Sequence, residues 1–500
     1  MQNRRDQVQA HRFVVTRLTS GLLRADPDIP EPPTRRTDRA VLVGTVFSIV
    51  LCVGFLVYGL ISPGGATGWR DGRTLVVDKG TGTRYLFDGE RLRPVRNYAS
   101  ARLLVGEGLV TDTVASASLR GTPHGDPVGI PGAPDDLPDA GGPTAWQVCA
   151  GTVPADSSGR RGRTTLVVDS RLRGGTLPGK GVLVGAEDGT LYLVTDGRRH
   201  RLPQGRTAAT ALGFGSVTPL PVSAAFLDAV PAGADLAPPS VTGLGGAGPD
   251  LDGTATRTGQ VFVTRAPGSA QQYYLLLRSG LVPVTTTQAA LALAAPATRE
   301  KAYGGKVPQA LALSSGAPDQ ALSPRDAGGE AAAAEREGAA LPRTPPGPLS
   351  LADDTDLCVR LAPRGERGTA VSLETVAATE VAAGASAPGE ATAAPCLAVD
   401  AIAVPVSGGG LVRALSSTGT VLGDTTYVVA DTGRKYRVAS EEAATALGYD
   451  LADARKLPAA LLDMLPTGPD LSPEAATAGE AAVAGAARCG SRPGAGTDDS

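Results

Sequence analysis

Residues 40–62 run without an Asp, Glu, Lys, Arg or His, and fourteen of the 23 are Val, Leu, Ile or Phe. A helix of that length rises roughly 35 Å, enough to cross a hydrocarbon core of about 30 Å with some tilt. The pattern predicts one transmembrane helix. A cleaved signal peptide is the weaker reading, because the apolar run is longer than a signal core and starts about 40 residues into the chain. Upstream, Val14, Leu18 and Leu22 recur at helical spacing with Val15 beside them, while Arg5, Arg12 and Arg17 occupy other faces. That is a basic amphipathic helix. The proline-rich stretch 26–33 ends it, because proline cannot continue a helix.

Beyond the span the pattern turns to short apolar and aromatic runs separated by turn residues. Two stretches match with no net shift: Leu212 with Leu447, Asp228 with Asp463, Pro231 with Pro466 and Asp235 with Asp470, each 235 positions apart. In each copy an apolar run with a tyrosine (Leu191-Tyr192-Leu193-Val194, Thr426-Tyr427-Val428-Val429), an Asp-bearing turn and a second short run predict a hairpin. The Ala-Leu segments that follow have helical length and spacing. Looser copies begin at Tyr85-Leu86-Phe87-Asp88-Gly89 and Tyr273-Tyr274-Leu275-Leu276, which makes four small α+β repeats.

The repeats leave over two strand-like pieces, around Trp146-Gln147-Val148-Cys149 and Leu357-Cys358-Val359, which predict a β-rich central domain. The fold class expected is therefore α+β: a short cytoplasmic amphipathic helix, one transmembrane helix, and an elongated extracytoplasmic region of four small repeats around that centre. The expected boundaries are 1–39 for the head and spacer, 40–62 for the span, and 74–138, 181–240, 258–323 and 420–473 for the repeats. The centre falls in two parts, 144–180 and 351–415. A disordered linker at 324–350, a solvated stretch at 377–394 and a disordered tail at 474–500 complete the layout.

Composition sharpens this. With 65 Gly, 40 Pro and only 4% aromatic residues, core-forming material is thin, which favours a string of modest units over one large core. A formal net charge of −3 argues against a nucleic-acid surface, and Arg198-Arg199-His200-Arg201 is expected to be a solvated hairpin face. Arg35, Arg36 and Arg39 precede the span, whereas the first charge beyond it is Arg70. The positive-inside rule then places the amino terminus in the cytoplasm and the rest of the chain outside the cell membrane. Trp69 is expected either at the outer interface or in the first folded unit. Within the span Ala40, Gly44, Ser48 and Cys52 recur every four residues, a face of small side chains along which another helix can approach.

Four cysteines, Cys149, Cys358, Cys396 and Cys489, fall on the outer side, where bridges are permitted. They allow three complete pairings, and the residues alone do not choose. If the two central strands pair, Cys149 and Cys358 would close a loop of about 208 residues, worth roughly 3 to 5 kcal/mol in the chain-entropy model. Metal binding is the weaker reading, since there is no CxxC and the three histidines are scattered. Gly174, Gly179 and Lys180 have phosphate-loop spacing. However, Gly181 replaces the hydroxyl residue, and Val182-Leu183-Val184 predicts a strand where a helix is required. Gly243 to Gly248 lacks a preceding strand and is expected to be a linker. No catalytic residue and no cofactor is assigned.

The head carries a longer pattern: Arg5-Asp6-Gln7-Val8-Gln9-Ala10-His11-Arg12-Phe13, then Arg17-Leu18, Leu22-Leu23-Arg24-Ala25-Asp26-Pro27-Asp28 and Pro33-Thr34-Arg35-Arg36. It resembles the EccB family, the bitopic membrane component of type VII (ESX) secretion systems in mycobacteria and other actinobacteria. The resemblance implies the same topology, four repeats around a centre, and a disulfide that maps onto Cys149 and Cys358. It also implies assembly in an oligomeric complex with the EccC ATPase, EccD and EccE, near a mycosin protease. Members are sometimes classed as ATP-binding hydrolases. Three functions are therefore weighed: a structural subunit of the secretion complex, an ATP-hydrolysing component of it, and a cell-wall anchor.

Overall fold

The computed structural model describes residues 4–24, 35–61, 67–139, 145–155, 159–265, 270–314, 316–323, 329–364, 369–416 and 420–482. It divides into two units, Met1–Leu92 with Val110–His124, and Arg93–Leu109 with Gly125–Ser500.

The first unit contains the helix Arg4–Arg24, whose Val14, Leu18 and Leu22 are exposed, and the helix Arg35–Ile61. Thr37–Tyr58 within the latter is long and apolar enough to cross a membrane, and none of it is buried by protein. Beyond it Thr74–Asp78 pairs antiparallel with Arg84–Phe87 and parallel with Val110–Val114. Trp69 is buried against Val76, Leu92, Val114 and Leu119, edge-on to Phe87 at 5.5 Å between ring centres. It is a core residue of this small sheet, not an interfacial anchor.

The second unit is built on a seven-stranded sheet in the order Ala385–Ser386, Ala401–Ala403, Gly159–Ser170, Ala145–Ala155, Thr355–Pro363, Thr369–Ala377, Gly175–Thr176. Around it lie three repeat sheets of one topology. Repeat two uses Lys180–Gly185, Leu191–Thr195, Arg198–Arg201 and Leu220–Pro221. Repeat three uses Val261–Thr264, Gln272–Leu277, Gly280–Val284 and Leu311–Leu313, and repeat four Gly410–Leu415, Val421–Val429, Lys435–Val438 and Arg455–Pro458. In each, the spatial order is third, second, first, fourth, with the fourth strand parallel to the first.

Local chemistry explains the topology. The second and third strands of repeat two meet through Asp196-Gly197, both with positive φ (47° and 73°), the conformation a two-residue hairpin turn requires. A parallel fourth strand needs a crossover, and a helix supplies it. In repeat three this helix, Thr286–Ala294, starts on a capping box between Thr285 and Gln288. In repeat four, Ser440 caps Glu441–Leu447. Residues from the first repeat's expected span also belong to this unit. The helix Tyr98–Val105 buries Ala99 and Leu103 with Ala443, Ala444 and Leu447 of repeat four, and it also packs on Pro473–Ala478.

Several boundaries are corrected. The strand Gly410–Leu415 is the first strand of repeat four and not part of a central domain extending to residue 415. The linker expected at 324–350 contains the helix Glu330–Ala339, whose Ala331 and Ala334 are buried against repeat three, and Gly347–Pro348, which adds a fifth strand beside Lys180–Gly185. Ala-rich composition suggested solvation, but small side chains on one face let that helix pack closely. The stretch 377–394 likewise carries the helix Ala378–Ala382, anchored by buried Val381. The tail expected from 474 begins as the helix Pro473–Ala478 with Ala476 buried, and residues 483–500 lie outside the described residues.

Candidate functional site

The centre of the second unit is where the molecule concentrates its bonding. Cys149 and Cys358 sit directly opposite each other in antiparallel strands, with Cα atoms 4.0 Å apart and sulfurs 2.05 Å apart. Both are fully buried, against Val167, Val376, Val381 and Ala403. The bond joins positions 209 apart and brackets repeats two and three. On the opposite face Trp146, Val148 and Ala150 share one apolar cluster with Phe226, Leu227 and Val230 of repeat two and Leu461, Leu462 and Leu465 of repeat four. Strand alternation produces both faces, since successive side chains point to opposite sides.

Charged groups fasten repeat four to this centre and tie the central strands to one another. Arg455, at the start of the fourth strand of repeat four, donates to Asp169 of the central sheet at 2.8 Å and to the Gly409 carbonyl. The Gly409 N–H donates back to Asp169 at 2.6 Å. Inside the central sheet Arg163 pairs with buried Asp356 at 2.7 Å. Gln147 donates to Glu374 and accepts from Ser170. Such desolvated pairs fix geometry more than they add stability.

A second arrangement relates repeats two and four. Strand register aligns Arg199 opposite Val194 with Lys435 opposite Val429, so the two cations are equivalent. Arg199 donates to the Leu227 carbonyl and contacts Asp228 at 3.2 Å. Lys435 donates to the Leu462 carbonyl beside Asp463, the residues equivalent to Leu227 and Asp228. The short helices carrying those aspartates, Ala224–Ala229 and Ala459–Asp463, pack on each other. Burial, with Asp228 nearby, raises the Asp463 pKa against the pull of Lys435, and burial lowers that of Lys435.

The same register makes His200 equivalent to Tyr436. Each ring lies over a glycine, Gly233 or Gly468, where an added Cβ would approach within 2.4 Å or 2.2 Å of ring atoms. Both glycines are thus required by close approach. The solvated face expected at Arg198–Arg201 holds for Arg198 and Arg201, which are exposed, but not for His200, which is buried with its Nδ1 2.8 Å from the Ala234 carbonyl.

The phosphate-loop-like stretch is built differently from a nucleotide cradle. The Gly174 N–H donates to the Glu374 carboxylate at 3.3 Å, Gly175–Thr176 joins the central sheet, and Lys180–Gly185 is a strand. Among the described residues no group of three or more His, Cys, Asp or Glu is placed to hold a metal ion. Ala40, Gly44, Ser48 and Cys52 are exposed on the long apolar helix, and Arg39 is exposed in its first turns with Arg35 and Arg36 at its start. Cys396 is held in a disulfide, while Cys489 lies outside the described residues.

Compared with known proteins, residues 2–485 match the family model described as type VII secretion system ESX-1, transport TM domain B. The chain belongs to the EccB family. It is similar to the ESX-1 secretion system ATPase EccB1 of Mycolicibacterium smegmatis, with 30% identity over 484 residues and 94% of each chain covered. It also matches the ESX-3 secretion system ATPase EccB3 of Mycobacterium tuberculosis, 32% identical over 304 residues. That alignment takes in 57% of this chain and only 55% of the relative, about half its length. Among solved structures it resembles a chain of the periplasmic assembly from the ESX-5 inner membrane complex, with a TM-score of 0.63, 26% identity, and coverage of 83% of this chain and 97% of that one. The mixed α+β architecture is thus one that EccB proteins share.

Proposed function

We propose that the chain is a structural membrane subunit of a type VII secretion complex. In this reading it is anchored by one helix, carries its repeats on the outer face of the cell membrane, and meets the EccC motor, EccD, EccE and a mycosin. The observation that carries this is the likeness, over most of the chain, to a component of a periplasmic ESX assembly. Arg35, Arg36 and Arg39 on one flank of the apolar helix support a cytoplasmic amino terminus. The small-residue face at Ala40, Gly44, Ser48 and Cys52 suits contact with another helix of the complex, and Gly44→Ile with Ser48→Ile is expected to weaken assembly; unchanged assembly would remove that contact.

Some relatives are named ATPases, so ATP hydrolysis is the second reading. Its best stretch in this chain ends in the strand Lys180–Gly185 and faces a carboxylate, which favours the structural role. Lys180→Ala in the purified membrane complex is expected to leave ATP turnover unchanged. Loss of turnover with the assembly intact would favour hydrolysis by this subunit.

A further inference from the structure

Repeats two and four pack directly on the central sheet, through Phe226, Leu227, Leu461 and Leu462. Repeat three keeps its apolar residues in clusters of its own, around Val261, Leu275 and Val282 and around Phe262, Leu276 and Leu281. Among the described residues no hydrogen bond or ion pair joins its strands to the central sheet. It is held at two places. One is a helix contact: Thr286–Ala294 packs on Arg206–Ala211 of repeat two, and Leu291 enters the core of repeat two beside Leu202 and Phe214.

The other is the chain that leaves it. The helix Glu330–Ala339 buries Ala331 and Ala334 on repeat three, and Gly338 lies so close to Gln288 that an added Cβ would be 2.4 Å from Oε1. At the helix start the Glu330 carboxylate accepts from the Thr242 N–H. Next, the Arg343 carbonyl accepts from the Thr287 N–H at 3.3 Å, and Leu341 is buried in the core of repeat two. Gly347 and Leu349 then donate to the Gly179 and Gly181 carbonyls, both at 2.9 Å, and Leu349 and Leu351 lie against the cluster of the central sheet. Residues 330–351 thus cross from repeat three over repeat two to the centre. The fastening is light. A helix of ten residues is marginal in water without a partner, and this one buries only two alanines and a glycine. The strand that follows it is two residues long. Segments of this kind open at lower free energy than the cores they join.

We propose that residues 330–351 are a latch. Closed, they fix repeat three on repeat two; open, they let repeat three swing as a folded body about the contact between Thr286–Ala294 and Arg206–Ala211. Opening also bares the Gly179 and Gly181 carbonyls on the edge of repeat two.

Gly338→Leu in the full-length chain tests this, because leucine favours helix more than glycine does while its side chain blocks the seat on Gln288. Hydrogen exchange is expected to show protection lost at Gly347 and Leu349 but kept through Gln272–Leu277 and Gly280–Val284. Spin labels carried by non-canonical residues at exposed Lys306 and Glu390 are expected to give a broader distance distribution in the variant than in the wild type. A protease site replacing residues 342–345, cut in the folded chain, is expected to broaden the same distribution without touching the helix seat. A distribution unchanged by both alterations would overturn the latch. So would loss of protection across the strands of repeat three together with residues 330–351, because that segment would then be part of the repeat's core and not its fastening.

Discussion

Asp463 of repeat four and Asp228, the residue at the same position of repeat two, ride on short helices that pack on each other; Arg199 contacts Asp228 at 3.2 Å, and its equivalent Lys435 donates to the Leu462 carbonyl next to Asp463. The match at 235 positions in the sequence is therefore a spatial pairing: the two copies bring their short acidic helices together over the central sheet. Each repeat supplies its own cation near its acid, the half-buried Arg199 and the buried Lys435, and the arrangement makes the junction sensitive to either partner.

Lys435→Met should destabilise the folded chain by about 1 to 3 kcal/mol at neutral pH, less than for a fully buried pair because Asp463 is half-exposed. Asp463 has a folded pKa raised above its ordinary 3.8. The stability linked to it is full below that value and lost as pH rises through the raised one. The deficit of the variant should therefore shrink at acid pH, and Asp463→Asn added to it should recover part of the loss. Urea midpoints at pH 5 and pH 7.5 measure both effects; a deficit independent of pH would refute the pairing.

His200→Tyr follows from the equivalence of His200 with Tyr436. Burial pushes the His200 imidazole below its ordinary 6.5, so its contribution to stability is full above 6.5 and lost as pH falls through the lowered value. Tyrosine keeps the aromatic cover over Gly233 without the titration. The variant should unfold with a flatter pH dependence on the acid side of 6.5, measured by thermal midpoints, and an unchanged slope would assign the acid sensitivity elsewhere.

Removing the central bond with Cys149→Ala and Cys358→Ala should cost about 3 to 5 kcal/mol, because the closed loop spans 209 positions of the unfolded chain. Both sulfurs are buried in an apolar pocket, so the loss should also appear on reduction only after partial unfolding. A midpoint equal to that of the wild type would show that sheet pairing alone holds the centre.

What the sequence disclosed was what is written locally. The Asp196-Gly197 hairpin, the Tyr192 and Tyr427 runs and the apolar stretch of the helix Arg35–Ile61 each carry their signal within a few residues, and the copies at Asp228 and Asp463 made the repeat visible. Ionic fastening was not legible: Asp169 and Arg455 are 286 positions apart, and neither stands in a distinctive pattern. The first strand of repeat four, Gly410–Leu415, falls within the span expected for the centre, because it begins beside Gly408 and Gly409 and glycine carries little strand signal. The helix Glu330–Ala339 was missed because its Ala-Glu composition matches solvated chain. Only tertiary contact, such as the Gln288 side chain donating to the Ala334 carbonyl at 2.8 Å, selects its packed state.

The proposed structural role is tested most directly by native electrophoresis of membranes extracted in mild detergent, probed for this chain and for the motor subunit. The account predicts that the chain migrates in a large assembly together with the motor. A chain migrating as a monomer and hydrolysing ATP on its own would contradict it.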